Sequence, residues 1–195
     1  MLKRAKLLAL VTLVLAPLVL GAPVLGAECL KVKVPDSVKA GGTDLVLNGL
    51  GIRKATFLNV KVYVAGLYLP QKSGDAGKII GANQPWQLVL RFARDVDASD
   101  IRDAWQEGFR KNAADKLAAL QPRIETLNAR MVDFKEGQYL SFTDDPAKGI
   151  AVDVNGASSA TIEGTDFANA LLSIWIGRDP PNEDLKSGLL GGKCE

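Results

Sequence analysis

Any chemistry in this chain must be done without histidine, because its 195 residues contain none. That removes Ser-His-Asp and Cys-His nucleophile machinery and every His-ligated zinc site. The two cysteines, Cys29 and Cys194, stand at opposite ends of the sequence. No Cys-x-x-Cys pair therefore exists for a four-thiolate zinc centre or for thioredoxin-like exchange. The reading expects no metal, no cofactor and no catalytic residue. Asp144-Asp145 stands beside Pro146 and Asp179 beside Pro180, so these acids read as turn residues rather than as a general acid and base. Gly49-Leu50-Gly51 fails as a dinucleotide fingerprint. Its third glycine would fall on Lys54, and strand, not helix, follows. What remains is Arg53, at the end of an apolar stretch loosened by Gly49 and Gly51, which let a backbone or a ligand approach closely. A buried guanidinium is costly unless something anionic meets it. An internal Asp or Glu, solvent, or an anionic ligand would each answer that need, and the residues alone leave all three open. The planar fork of Arg53 matches a carboxylate, and Tyr63 in the next strand adds one donor.

The elements that must position these residues follow from periodicity. Residues 30–34 alternate as a strand, and residues 40–43 form a turn. Residues 45–54 read as a second strand. Residues 57–69 form the longest strand, rich in β-branched and aromatic side chains, with Val60, Val62, Val64 and Tyr68 on one face and Lys61, Tyr63, Leu67 and Leu69 on the other. Residues 75–80 suit a short helix. In residues 86–92, Trp86, Leu88, Leu90 and Phe92 share a face, and Arg91 turns to solvent. From Asp97 the period changes: Ile101, Ala104, Trp105 and Phe109 follow helical spacing, capped by Asp97 or Ser99, and Ile101, Trp105 and Phe109 can serve as both core and pocket wall. Leu117, Leu120, Ile124, Leu127 and Met131 continue as helix, with Pro122 expected to start a new helix or to kink this one. Residues 139–143, 149–154 and 157–162 are three short strands, and Asn155-Gly156 marks a hairpin. Thr165 is expected to cap a helix carrying Leu171, Leu172 and Trp175. Asn182 caps the last helix, which Gly191-Gly192 stops. Strands, helices, a β-meander and helices again predict α+β: a large antiparallel sheet covered by a helical layer.

Residues 1–27 carry a basic start, an apolar run over 7–20 and a small-residue end at Leu25-Gly26-Ala27, the pattern of a secretory signal peptide. Pro17, Gly21 and Pro23 break the run, which is short for a membrane span of about 20 residues. The expectation is a periplasmic or secreted protein with one domain over 28–195 and no stable membrane span after cleavage. The leader holds three of the 24 basic residues and no acid, so 21 basic residues then face 22 acidic ones, a net charge of −1. Nothing in that balance suggests a nucleic-acid partner. In an oxidising compartment Cys29 and Cys194 are expected to form a disulfide joining the two chain ends, the alternative being two free terminal thiols.

Residues 48–69 run through Gly51-Ile-Arg53 and then Lys61-Val-Tyr63-Val-Ala-Gly66-Leu-Tyr68. With Gly164 to Gly177, Pro180, Leu185-Lys186 and the helix ending at Gly108, this pattern resembles the chalcone isomerase superfamily, in particular its bacterial chalcone isomerase-like branch and the plant fatty-acid-binding relatives. The resemblance spans roughly residues 30–192. It implies an open-faced β-sandwich: a large antiparallel sheet, a helical layer holding the ligand against it, and a short β-layer. In chalcone isomerase the residue matching Arg53 holds the phenolate that attacks an enone. That enzyme's threonine position falls near Tyr63, its tyrosine position near Ile101, and a further polar pair around Gly108 and Ser173-Ile174. The arginine is kept and most of the cyclisation network is not, which leaves little to stabilise charge on the ketone. In the fatty-acid-binding relatives an arginine and the tyrosine of Lys-Val-Tyr clamp a carboxylate, and Arg53 and Tyr63 match that pair. The resemblance thus implies a protein that binds a fatty acid or similar small apolar anion without catalysis, and a monomer is expected. The alternatives are an intramolecular lyase or isomerase acting on an enone or phenol, and a structural or partner-binding module whose pocket is filled by its own side chains.

Overall fold

The computed structural model describes residues 26–55 and 58–195, so the expected leader lies outside the described residues except for Gly26 and Ala27. A hairpin of β1 (Gly26–Cys29) and β2 (Val32–Pro35) precedes a seven-stranded antiparallel sheet. Its strands are β3 (Ser37–Ala40), β4 (Thr43–Ala55), β5 (Val60–Leu69), β6 (Trp86–Phe92), β7 (Tyr139–Asp145), β8 (Gly149–Val154) and β9 (Ala157–Ile162), each paired with its neighbour in sequence. The helices are α1 (Ala76–Gly81), α2 (Ala98–Asn112), α3 (Leu117–Asn128), α4 (Thr165–Ile176) and α5 (Glu183–Leu189), with a turn of 3-10 helix over Ala114–Lys116. The expected layers are all present: helices over one face of the large sheet and a small β-layer over the other.

Period-2 alternation gives each face its own core. Tyr63, Ala65, Leu67 and Leu69 of β5 join Leu88, Leu90 and Phe142 under the aromatic residues of α2 and α4. Leu45, Leu47, Leu50 and Ile52 of β4 join Val64 and Tyr68 under the β1–β2 hairpin. Each buried Val, Leu, Ile or Phe among them contributes about 1.5–3 kcal/mol. The long central strands are therefore apolar on both faces, which is why their sequence reads as a nearly continuous hydrophobic run.

Several local expectations are corrected. The strand read over 30–34 is a hairpin, because Leu30 and Lys31 turn the chain with φ of 50° and 63°. The turn is held by its surroundings. Cys29 and Cys194 are joined, with Cα atoms 6.1 Å apart, and the Tyr68 hydroxyl donates to the Pro35 carbonyl at 3.0 Å. The strand read from residue 57 begins at Val60. The register slips between Arg53 and Lys54, so Val62 packs with the helix-facing core rather than the hairpin face. Pro122 starts no new helix: it lies inside one, which Leu120, Ile124 and Leu127 anchor on both sides of it. Gly164, not Thr165, occupies the cap position of α4, at φ 108°, where a side chain would be strained. Asp97 occupies the cap position of α2 as expected, but its side chain makes no capping bond, and the first N–H of the helix, on Ala98, donates to Asp133 instead.

Candidate functional site: a cleft between sheet and helices

A cavity of about 460 Å³ opens between β4, β5 and β6 on one side and α2, α4 and the α4–α5 connection on the other. Its apolar wall is Val62, Tyr63, Phe92, Ile101, Trp105 and Ile174. Arg53 stands at the sheet side and Pro180-Pro181 at the connection. The size lies within the usual range for a small-molecule pocket, about 300–1,000 Å³.

Arg53 is placed by the glycines before it. Gly49, Gly51 and Arg53 alternate onto the same side of β4. A Cβ on Gly49 would collide with the carbonyl of Gly188, and one on Gly51 with the carbonyl of Leu185. The glycine pair therefore serves the close approach of α5 and not of a ligand. The chain leads into α5 through Asn182, whose side chain accepts from Lys54 N–H and donates to the Ile52 carbonyl, both at 3.2 Å. Arg53 lies just beyond this seam. Its guanidinium donates to the carbonyls of Lys54 and, at 3.3 Å, of Pro181. It has no carboxylate partner among the described residues. The internal acid that the sequence left open is thus not what meets Arg53. Asn112 fixes the other end of the connection. Its amide donates to the Asp179 carbonyl and accepts from Asp179 N–H, each at 3.0 Å.

Tyr63 is the direct cross-strand partner of Arg53, so the two side chains project from one face of the sheet. Its ring is buried, edge-on to Phe92 with centroids 6.0 Å apart. Its hydroxyl accepts a hydrogen bond from Trp175 Nε1 at 2.9 Å. Burial pushes the phenol pKa up to about 12, against the smaller opposing pulls of the Trp175 bond and the Arg53 charge. Tyr63 is therefore a neutral hydroxyl across the physiological range.

The rim carries charge that is already largely spent. Asp95 bonds Lys135 at 2.9 Å, and Glu107 bonds Arg110 at 2.7 Å and Lys111 at 3.2 Å. These bonds hold both carboxylates below their ordinary range. Arg94, also on the rim, has no ion-pair partner among the described residues.

Sequence reasoning named Arg53 and Tyr63, and the fold brings them together. The positions carried over from the cyclase, Ile101, Gly108 and Ile174, also line the cavity, and each is apolar. Gly108 packs against the Ile174 side chain so closely that a Cβ would not fit. The Ser173 hydroxyl donates back to the Asn169 carbonyl within α4 at 2.6 Å. Ile101 and Trp105 are both core and wall, as expected; Phe109, expected to be both, is fully buried core and does not line the cavity. In the sequence Trp175 is only one residue of a helix stripe. Its bond to Tyr63 spans 112 residues, and no local pattern announces it. Among the described residues no group of three or more Cys, Asp or Glu side chains is placed to hold a metal, and no helix is long and apolar enough to cross a membrane.

A family model described as chalcone isomerase-like matches residues 26–191. No curated protein matches. Among solved structures, the crystal structure of the Arabidopsis thaliana fatty-acid binding protein AtFAP1 is similar in fold, with a TM-score of 0.67. The two are 17% identical, over 83% of this chain and 92% of that one.

Proposed function

We propose that this chain, which belongs to the chalcone isomerase-like family, binds a fatty acid or a similar small apolar anion in the sheet–helix cleft without turning it over. Arg53 and Tyr63 hold the head group, and Val62, Ile101, Trp105 and Ile174 receive the tail. One observation carries the reading: a half-buried guanidinium at an open, largely apolar cavity, bonded among the described residues only to backbone carbonyls. Five donors on a fixed positive charge suit a carboxylate that none of the described residues supplies. The fatty-acid binding function named for the Arabidopsis protein of the same fold supports this ligand class. The apolar side chains at Ile101 and Ile174, and the absence of any side chain at Gly108, favour binding over ring closure. They offer no donor to charge that would develop on a ketone. The disulfide supports export to an oxidising compartment, the periplasm or the exterior.

The test is native mass spectrometry of protein purified without added lipid, followed by extraction and identification of what it carries. A stoichiometric fatty acid, lost from Arg53→Ala, is the expected result. A protein that carries nothing and takes up no dodecanoate would contradict the reading.

A further inference from the structure

Trp175 does more than fill the core. Its indole N–H can only donate, so in the 2.9 Å contact the Tyr63 oxygen must be the acceptor. The phenol hydrogen is then left over, and among the described residues it has no acceptor. The indole cannot swing away, because Trp105 and Phe142 pack on it with ring centroids at 5.2 and 5.8 Å, and the residue is fully buried. Arg53 likewise has only donors. The head-group end of the cleft therefore presents a guanidinium and a hydroxyl that both ask for an acceptor.

We propose that Trp175 is a positioning residue that sets the polarity of the cleft: it holds Tyr63 as a donor, so that the site selects a carboxylate over an alcohol of the same chain length. The inference rests on the binding reading above and adds a specificity determinant to it. A carboxylate brings two acceptor oxygens and no hydrogen. An alcohol brings a hydrogen of its own, which the Tyr63 oxygen, already taken by the Trp175 N–H, is not placed to accept. Replacing Trp175 by Phe frees that oxygen. Tyr63 then rotates and accepts from an alcohol as readily as it donates to an acid.

The experiment compares dodecanoate with dodecanol by calorimetry on four proteins: wild type, Trp175→Phe, Tyr63→Phe and the double variant. Trp175→Phe is expected to lower the acid-to-alcohol affinity ratio by about 3- to 10-fold, the span of one neutral hydrogen bond. On the Tyr63→Phe background the same substitution is expected to leave the ratio unchanged, a cancellation that a purely structural tryptophan would not produce. A second readout needs no tryptophan variant. In nitrogen-labelled protein, one of the three indole N–H resonances should move on Tyr63→Phe, and the same resonance should move when dodecanoate is added to wild type. An unchanged ratio in Trp175→Phe, or an indole resonance blind to dodecanoate, overturns the inference while leaving the binding reading in place. Failure of wild type to bind dodecanoate overturns both.

Discussion

Two tyrosines of β5, five positions apart, face opposite sides of the sheet and use their hydroxyls in opposite ways. Tyr68 faces the hairpin and donates its hydrogen to the Pro35 carbonyl, which closes that side. Tyr63 faces the helices, lines the cavity and accepts from Trp175, which leaves its own hydrogen without an acceptor among the described residues. Both are buried, and burial raises both pKa values to about 12. Burial and titration therefore do not separate a structural tyrosine from a ligand-ready one. The direction of the hydrogen bond does. The same contrast runs along β4, where Gly49 and Gly51 are sealed by the α5 backbone while Arg53, one alternation further on, faces the gap beyond the helix start.

The sharpest way to strain this comparison is to open the hairpin side alone. Cys29→Ser with Cys194→Ser, or reduction, should cost about 2–5 kcal/mol of unfolding free energy, since the link closes nearly the whole described chain. Dodecanoate affinity at a temperature where the fold persists should hardly change. Denaturant titration and calorimetry check both halves. A large loss of affinity would mean that the two faces are not independent.

Alkali should act on both faces together. The folded-state pKa values of Tyr63 and Tyr68 stand above the ordinary value of 10. Between pH 10 and 12 the unfolded chain therefore releases protons that the folded chain keeps, and stability falls as pH rises. The slope is at most about 1.4 kcal/mol per pH unit for each tyrosine. Denaturation midpoints across this window should fall less steeply in Tyr63→Phe and in Tyr68→Phe than in wild type. Equal slopes in all three proteins would show that neither phenol is protected.

The smallest effects should cross over between the two tyrosines. Tyr68→Phe loses one neutral bond that holds the hairpin, about 0.5–1.5 kcal/mol of stability, and leaves binding alone. Tyr63→Phe should cost a similar amount in dodecanoate binding. Paired unfolding and binding measurements test this, and binding loss in Tyr68→Phe would erase the distinction.

The layered α+β fold was legible because its strands alternate and its helices do not. Trp86 to Phe92 keeps strict period 2, and Asn155-Gly156, at φ of 52° and 86°, turns the last hairpin as its residue types require. Arg53 and Tyr63 were legible as a pair through the resemblance, and antiparallel register made them opposite neighbours. The first hairpin was not legible. Leu30-Lys31 carries none of the residues that favour positive φ, and the turn is held by a disulfide to the far end of the chain and a bond from Tyr68. The partner of the glycine pair was hidden for the same reason: a strand glycine announces a close approach but not what approaches. Trp175 keeps ordinary helix spacing, so only the folded contact gives its indole N–H a role.

The central claim is that the Arg53 guanidinium awaits an anion from outside the chain. Calorimetric titration of dodecanoate into wild type and Arg53→Ala, with unfolding curves for both, tests it most directly. The account predicts that the variant loses about 1.5–3 kcal/mol of binding free energy, the worth of a charge-assisted hydrogen bond, and that its stability stays within about 0.5 kcal/mol of wild type. Equal affinity in the two proteins, with the variant's stability reduced instead, would make Arg53 a structural tie to Pro181 and contradict the account.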